Sequence, residues 1–355
     1  METAIREILN AAVWAPSGDN SQPWFFFVLR GNKLRIYLDS NRDNPILNFK
    51  LSGTYIAHGA LIENIFLAAP LSGLSANVRI LPDPGNPFCT AELTFSEASS
   101  AIDPLAAAIK NRHTNRKSYK NRSPGPEALT AFSEAARPVA GPQLFLTEDR
   151  AAIRAIASAS ALMEQIALET PALRALFVNN ILWTEEENRI GKQGLYIKTM
   201  ELPLPARFLM RHFSNPIVAN LANAVGFAKI ARLVNTTLYA SAPVMGLITV
   251  KEESQAAYLA AGRSFERIWL EAARRTLAFQ PVTGILFLAR SIKAGNASKL
   301  LSRHVTPILE ANTRIKSKFG AGEYDIPLLL FRTGYAAPAT AYSFRRATDI
   351  RTDDL

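Results

Sequence analysis

The chain has 355 residues, 48% of them hydrophobic, and carries a net charge of +10. That length accommodates two or three domains or one large α/β unit, with a sizeable core. A single cysteine, Cys89, excludes an intrachain disulfide and fits a reducing, cytoplasmic setting; no uninterrupted apolar run reaches the ~18 residues of a bilayer span, and METAIREILN lacks the apolar centre of a secretory signal.

Ile5, Ile8, Leu9, Ala12 and Val13 follow the i, i+3, i+4, i+7, i+8 spacing of a helix over 3–14 with one buried face. A polar stretch, APSGDNSQPW, then leads into an aromatic, branched strand over 24–30. The stretch reads either as a connecting loop of turn formers or as a loop presenting amides and short side chains to a bound molecule. Trp24 and Phe25 to Phe27 read as core anchors behind it. A hairpin at RGNK leads to a strand over 34–38, a helix over about 52–71, and strands at NVRILPD and TAELTF.

The densest basic stretch, KNRHTNRKSYKNR at 110–122, has no acid in it. In it Arg112 and Arg116 flank the hydroxyl of Thr114. Two guanidinium forks and a hydroxyl suit a phosphate monoester; the same residues also suit a solvated basic loop or a nucleic-acid backbone. No zinc-finger spacing, RNP-like pattern or helix-turn-helix accompanies them.

The chain continues with a helix at PEALTAFSEAA, a strand at QLFLTED and a helix at RAAIRAIASASALMEQIAL, 150–168. Residues 170–238 read as a helical insertion, apolar on one side, that covers a site as a lid, docks a partner or membrane, or is a surface elaboration. Then come a strand at APVMGLITV and a long helix over about 255–279, which Pro281 stops. The amides of Val282, Thr283 and Gly284 are expected to be free for a flat polar ring edge. A strand, IPLLLFRTGYA, precedes a polar tail, AYSFRRATDIRTDDL, which reads as a frayed terminus.

Helix, loop, strand and helix thus recur at a separation of about 125 residues. The reading is an α+β chain of two related halves, 1–108 and 109–355, packed as an intrachain pseudo-dimer with 170–238 inserted in the second. The four histidines are dispersed without metal-ligand spacing, and His58 reads as a core residue. No hydrolase elbow, P-loop or dinucleotide fingerprint is present.

In combination these stretches resemble the nitroreductase family of FMN-dependent oxidoreductases. APSGDNSQPW is similar to that family's P-S-S-x-N-x-Q-P-W loop, and RHTNRKSY to its R-x-S-x-R-x-F phosphate motif. The helix running into QPVTG is similar to its flavin loop, and SFRRA to its C-terminal basic pair. In ordinary members the arginine motif precedes the loop, and the flavin sits between two subunits. Here the order is reversed, which resembles the fused, Acg-type branch. The resemblance implies that Pro16, Ser17, Gly18 and Asn20 face the flavin from the first half. It implies that Arg112, Thr114 and Arg116 hold its phosphate from the second, with Arg345 or Arg346 assisting, and that His113 beside them also contacts the cofactor. Gln280, Pro281, Val282 and Thr283 would border the ring.

The implied function is hydride transfer from NADH or NADPH to FMN and on to a nitro-, quinone- or other conjugated acceptor, a small molecule, with no acid–base residue demanded. The alternative is a flavin-sequestering protein with little turnover; a third reading uses the basic excess on nucleic acid or a membrane surface. Self-association is compatible with the reading but not required, because one chain carries both motifs.

Overall fold

The computed structural model of the chain describes residues 2–42, 46–97, 101–191 and 193–351. The N-terminal part comprises α1 (Glu2–Ala12), β1 (Trp24–Leu29), β2 (Lys33–Leu38), α2 (Ser52–Ala68), β3 (Leu74–Ile80) and β4 (Cys89–Glu97). α1 buries Ile5, Ile8, Leu9 and Ala12 along one stripe, as its spacing dictates. β1 alternates, so only Trp24 and Phe26 enter the core. Phe25 and Phe27 lie on the opposite face against Tyr37, which corrects the expectation that the whole aromatic run anchors the core.

Next come α3 (Pro126–Ala136) and β5 (Gln143–Thr147), and then a helical excursion. It contains α4 (Arg150–Ser160), α5 (Leu162–Glu169), α6 (Pro171–Asn179), β6 (Ile181–Leu182), α7 (Glu185–Arg189), β7 (Leu195–Tyr196), α8 (Leu204–His212), α9 (Pro216–Ala224) and α10 (Phe227–Ala240). The chain returns through β8 (Val244–Val250), α11 (Gln255–Arg274), β9 (Ala278–Pro281), α12 (Gly284–Lys293), α13 (Ser302–Lys318) and β10 (Ile326–Gly334). It ends in β11 (Ile350–Arg351). The long helix stops at Arg274, so Pro281 closes a strand and not a helix.

One sheet has the order β11-β1-β2-β4-β3 and the other β5-β8-β10-β9. β1, β2, β4 and β3 are antiparallel throughout, and so are β5, β8, β10 and β9. The two sets match strand for strand, with α1 and α3 before the first strand and α2 and α11 between the second and third. The helix equivalent to α2 is therefore α11, not the 150–169 segment, which is broken at Ala161 and belongs to the excursion. The tight turn between β1 and β2 corresponds to everything from 148 to 243, and the β3–β4 link to the segment holding α12 and α13.

α2 is apolar on all sides and almost wholly buried, as a helix surrounded by core must be. It crosses α11 at two glycines. A Cβ on Gly59 would collide with the Leu259 carbonyl, and one on Gly262 with the Ile56 carbonyl. Each glycine meets the residue three places before the other, the reciprocity of a two-fold interface. Glu63 of α2 completes the crossing by accepting from Arg263 and Arg267 of α11, both at 2.8 Å.

The main core joins the first sheet, α1, α2, α11 and one face of the second sheet. A second core packs the other face of that sheet, through Met245, Leu247 and Leu330, against α4, α5, α12 and α13. β8 is covered on both faces and accordingly reads VMGLITV without alternation. A small third core, around Phe213 and Phe227, holds the excursion together. By length and composition 150–169, and the pair α9–α10 bent by 69°, could each cross a bilayer. The first is instead an interior part of the second core. The tail is not frayed as far as it is described: β11 pairs in parallel with β1, and Thr348 bonds Asn10 at 2.7 Å. The last four residues lie outside the described ones.

Candidate functional site

The loop after α1 cannot be a simple turn. Asp19, Asn20 and Gln22 all have φ near +50°, a conformation L-residues adopt at a cost. Surrounding bonds fix it: Ser17 Oγ accepts from the Gln22 amide at 2.9 Å, and the amide of Arg346 donates to Gln22 Oε1 at 2.8 Å. Asn20 donates Nδ2 to the Phe344 carbonyl at 3.1 Å. The tail thus lies across the loop and presses it over a cavity of about 930 Å³. Such a volume suits a cofactor with room for a second molecule.

The structure brings Pro16, Ser17, Gly18, Asn20, Arg112, His113, Thr114, Arg116, Gln280, Pro281, Val282, Thr283 and Arg345 to the wall of this one cavity. Arg346 is not part of the wall; it is exposed and contributes its backbone to the loop. The excursion supplies the opposite wall through residues such as Met163, Phe177, Met210, Phe227 and Leu238.

The two guanidiniums that the sequence suggests as one clamp occupy separate surroundings. Residues 113–116 run without helix or strand. Asn115 pins the middle, its side chain donating to the Ala337 carbonyl and its amide to the Phe279 carbonyl, both at 2.9 Å. Arg112 lies beside Arg345, and both reach the Trp14 carbonyl, at 2.6 and 3.4 Å. Arg112 also stacks on Trp269 and pairs with the buried Glu266 at 3.2 Å. Burial pushes the Glu266 carboxyl up to about 7, against the pull of Arg112. Burial, and then the like charge of Arg112, pushes Arg345 down to about 9. Two confined cations thus share one poorly ionised acid, a spot that favours an added anion.

Arg116 stands among different groups. It donates to the Thr199 carbonyl at 3.1 Å. Asp19, Glu164 and Tyr239 all act on its charge. Burial raises the Asp19 and Glu164 carboxyls against the opposing pull of Arg116. Tyr239 donates to Glu164 at 2.7 Å. His113 hydrogen-bonds the Asn111 carbonyl and packs edge-on against Tyr342, so it is a wall residue.

At the far side β9 passes into α12. The Val282 amide is not free, as expected from sequence, but donates to the Leu330 carbonyl at 2.8 Å because the sheet continues to it. Thr283 and Gly284 begin α12 and line the cavity, and their amides have no backbone acceptor among the described residues. Behind them Gln280 accepts from Arg332 at 2.7 Å. Arg332 is wholly buried and also donates to the Leu238 and Lys117 carbonyls at 2.8 Å. It ties β9, α10 and the arginine arm together. Sequence reading passed over it, although a lone arginine in LLLFRTG was the available signal. Glu266 and Glu164, acids within otherwise apolar helix faces, gave the same signal. Among the described residues no cluster can hold a metal.

The nitroreductase family model matches residues 2–46. The chain is 23% identical to the uncharacterized protein MT1398 of Mycobacterium tuberculosis over 96% of its own length and 47% of that protein's. It is 29% identical to the "Putative NAD(P)H nitroreductase acg" of the same organism over 32% of its own length and 34% of that protein's. The chain therefore spans less than half the length of these curated relatives. An FMN-bound nitroreductase from Desulfitobacterium hafniense aligns with 69% of this chain and 94% of that one at a TM-score of 0.36 and 14% identity. The polar loop over the cavity falls inside the stretch that the family model matches.

Proposed function

We propose that the chain is an FMN-dependent oxidoreductase of the nitroreductase type, with the flavin in the cavity walled by the polar loop, the arginine arm, the β9–α12 corner and the excursion. The observation that carries the reading is the convergence, in one cavity, of the polar loop, the arginine arm, the β9–α12 corner and Arg345, segments far apart in sequence. In this reading Arg112 and Arg345 hold the phosphate, since they are the paired cations with the least compensation. Arg116, in separate surroundings, sets a positive charge at the ring end. Buried atoms without partners among the described residues suit the same ligand: Arg345 Nε is an unused donor and Asn20 Oδ1 an unused acceptor there. The free amides of Thr283 and Gly284 add donors at the start of a helix, whose dipole favours electron-rich atoms.

When bound, FMN supplies the two-electron chemistry, with NADH or NADPH as donor and a nitro-, quinone- or other conjugated small molecule as acceptor. The chain's own residues orient the ring, neutralise the phosphate and exclude water; no protein acid or base is assigned. We infer further that 1–108 and 109–355 are related halves, as the matched strand orders and the reciprocal glycine crossing support. The segment 170–238 is then the lid, and its inner side supports that role by lining the cavity.

Purified protein is expected to be yellow, absorbing near ~450 nm, and to release FMN on denaturation. Colourless protein that takes up no added FMN refutes the reading. Because helices of the excursion wall the cavity, flavin sequestration is the second reading. Steady-state turnover with NADPH and a quinone favours the enzyme, and tight flavin without turnover favours sequestration.

A further inference from the structure

The helices of the excursion are apolar on two sides. On α10 the inner side turns Ala231, Leu238 and Tyr239 to the cavity, while Ile230, Leu233 and Val234 recur at i, i+3, i+4 on the outside. Phe208 on α8 and Ile217 and Leu221 on α9 are bare in the same way. Each of these six outward side chains is at least 57% exposed, whereas a soluble helix normally turns polar residues outward. The charge here is one-sided as well. No acid occurs between Glu201 and Glu252, while Arg207, Arg211, Lys229 and Arg232 all fall on these three helices, Arg211 and Lys229 exposed.

We propose that the outer face of α8, α9 and α10 binds the surface of a bilayer containing anionic lipid, lying in the plane of the interface. Apolar side chains enter the acyl boundary while the basic residues meet the headgroups, the arrangement of a monotopic contact. The charge selects this occupant over a second copy of the chain. Self-association through the same face sets like charges against each other, because a two-fold contact uses one patch twice. The 69° bend between α9 and α10 keeps the pair along a surface instead of through it. The inference does not depend on the cofactor, although the inner sides of these helices wall the cavity.

The test is flotation of the purified full chain with vesicles of phosphatidylcholine alone or mixed with phosphatidylglycerol. The protein is expected to float with the mixed vesicles, less with phosphatidylcholine, and less at high salt. Leu221→Asp combined with Leu233→Asp is expected to weaken the binding about tenfold or more, with the melting temperature retained. Lys229→Gln with Arg211→Gln, which leaves the apolar contacts intact, is expected to lower the preference for phosphatidylglycerol and serves if the aspartates disturb folding. Leu71→Asp, at an exposed apolar residue elsewhere, is expected to change nothing. Absence of flotation with the mixed vesicles overturns the proposal. So does a dimer in solution that Leu221→Asp and Leu233→Asp disperse, since the face is then a self-interface.

Discussion

At the scale of residues, the site turns on how few partners its charges have. Arg345 stands beside Arg112 with only Glu266, itself raised to about 7, to offset the pair. Replacing Arg345 with alanine removes a charge-assisted contact to phosphate, which is worth about 1.5–3 kcal/mol, or roughly 10- to 150-fold in affinity. The expected result is a loss of that order for FMN and a much smaller one for riboflavin, read by quenching of flavin fluorescence. Equal losses for both ligands assign Arg345 to the fold. Arg116→Ala is expected to weaken both ligands alike, because the reading sets it at the ring. His58 shows the structural counterpart. Its ring nitrogens are both bonded, at 2.8 Å to Thr90 Oγ1 and to the Pro23 carbonyl, just behind the polar loop. Burial lowers it from 6.5 to about 4. The unfolded chain therefore takes up a proton below pH ~6.5 that the folded chain refuses until about pH 4. Stability is lost as pH falls through that window, by an amount on the order of 3 kcal/mol, and not further below it. Melting curves from pH 7 to 4 read this slope, and His58→Gln is expected to flatten it.

At the scale of elements, the crossing of α2 and α11 holds the two sheets at a fixed separation. Gly262→Ala or Gly59→Ala places a methyl group against a backbone carbonyl that cannot rotate away. Each is expected to cost about 1–3 kcal/mol, seen as a lower midpoint in urea, and to loosen the flavin because the cavity walls are carried by these helices. An unchanged midpoint means that the helices part without penalty. These elements also mark what could be read from sequence. Helices such as α1 and strands such as β1 were legible because one buried face imposes a period of 3.6 or 2. α2 was legible as a helix by length, but being apolar all round it gave no indication of its partner. The pairing with α11 rests on glycines three residues from each other's contacts, information split across some two hundred positions. The corner at Pro281 was misread because a proline ends a helix and closes a strand equally well. The tail appeared frayed because its order comes from β1, a distant strand, and from bonds to the loop residues Asn20 and Gln22.

At the scale of the molecule, the two sheets share a strand order, yet their connections differ, and the difference falls where a second site would have to form. Between α1 and β1 lies the polar loop that roofs the cavity. Between α3 and β5 lies only RPVAGP, which lacks the Asn-Gln-Pro-Trp run and the left-handed Asp and Asn that shape the first loop. The short turn between β1 and β2 has as its topological counterpart the long excursion, which walls the cavity. Arg112, Arg116 and Arg345 all lie beyond residue 108 and reach the polar loop, and β11 joins the sheet of β1. Two sheets of like strand order thus share one cleft with polar loop, cations and a helical wall, while the stretch at 137–142 that corresponds to the polar loop has none of its features. One chain is expected to bind one FMN. Titration of flavin-free protein should saturate near one equivalent, and a monomeric fraction from gel filtration should keep its colour on dilution. Saturation at two equivalents requires a second competent cleft around 137–142. Flavin lost on dilution to monomer requires a partner chain in the site. Either result removes the premise that one chain supplies both walls, while leaving the cavity and its residues where they are.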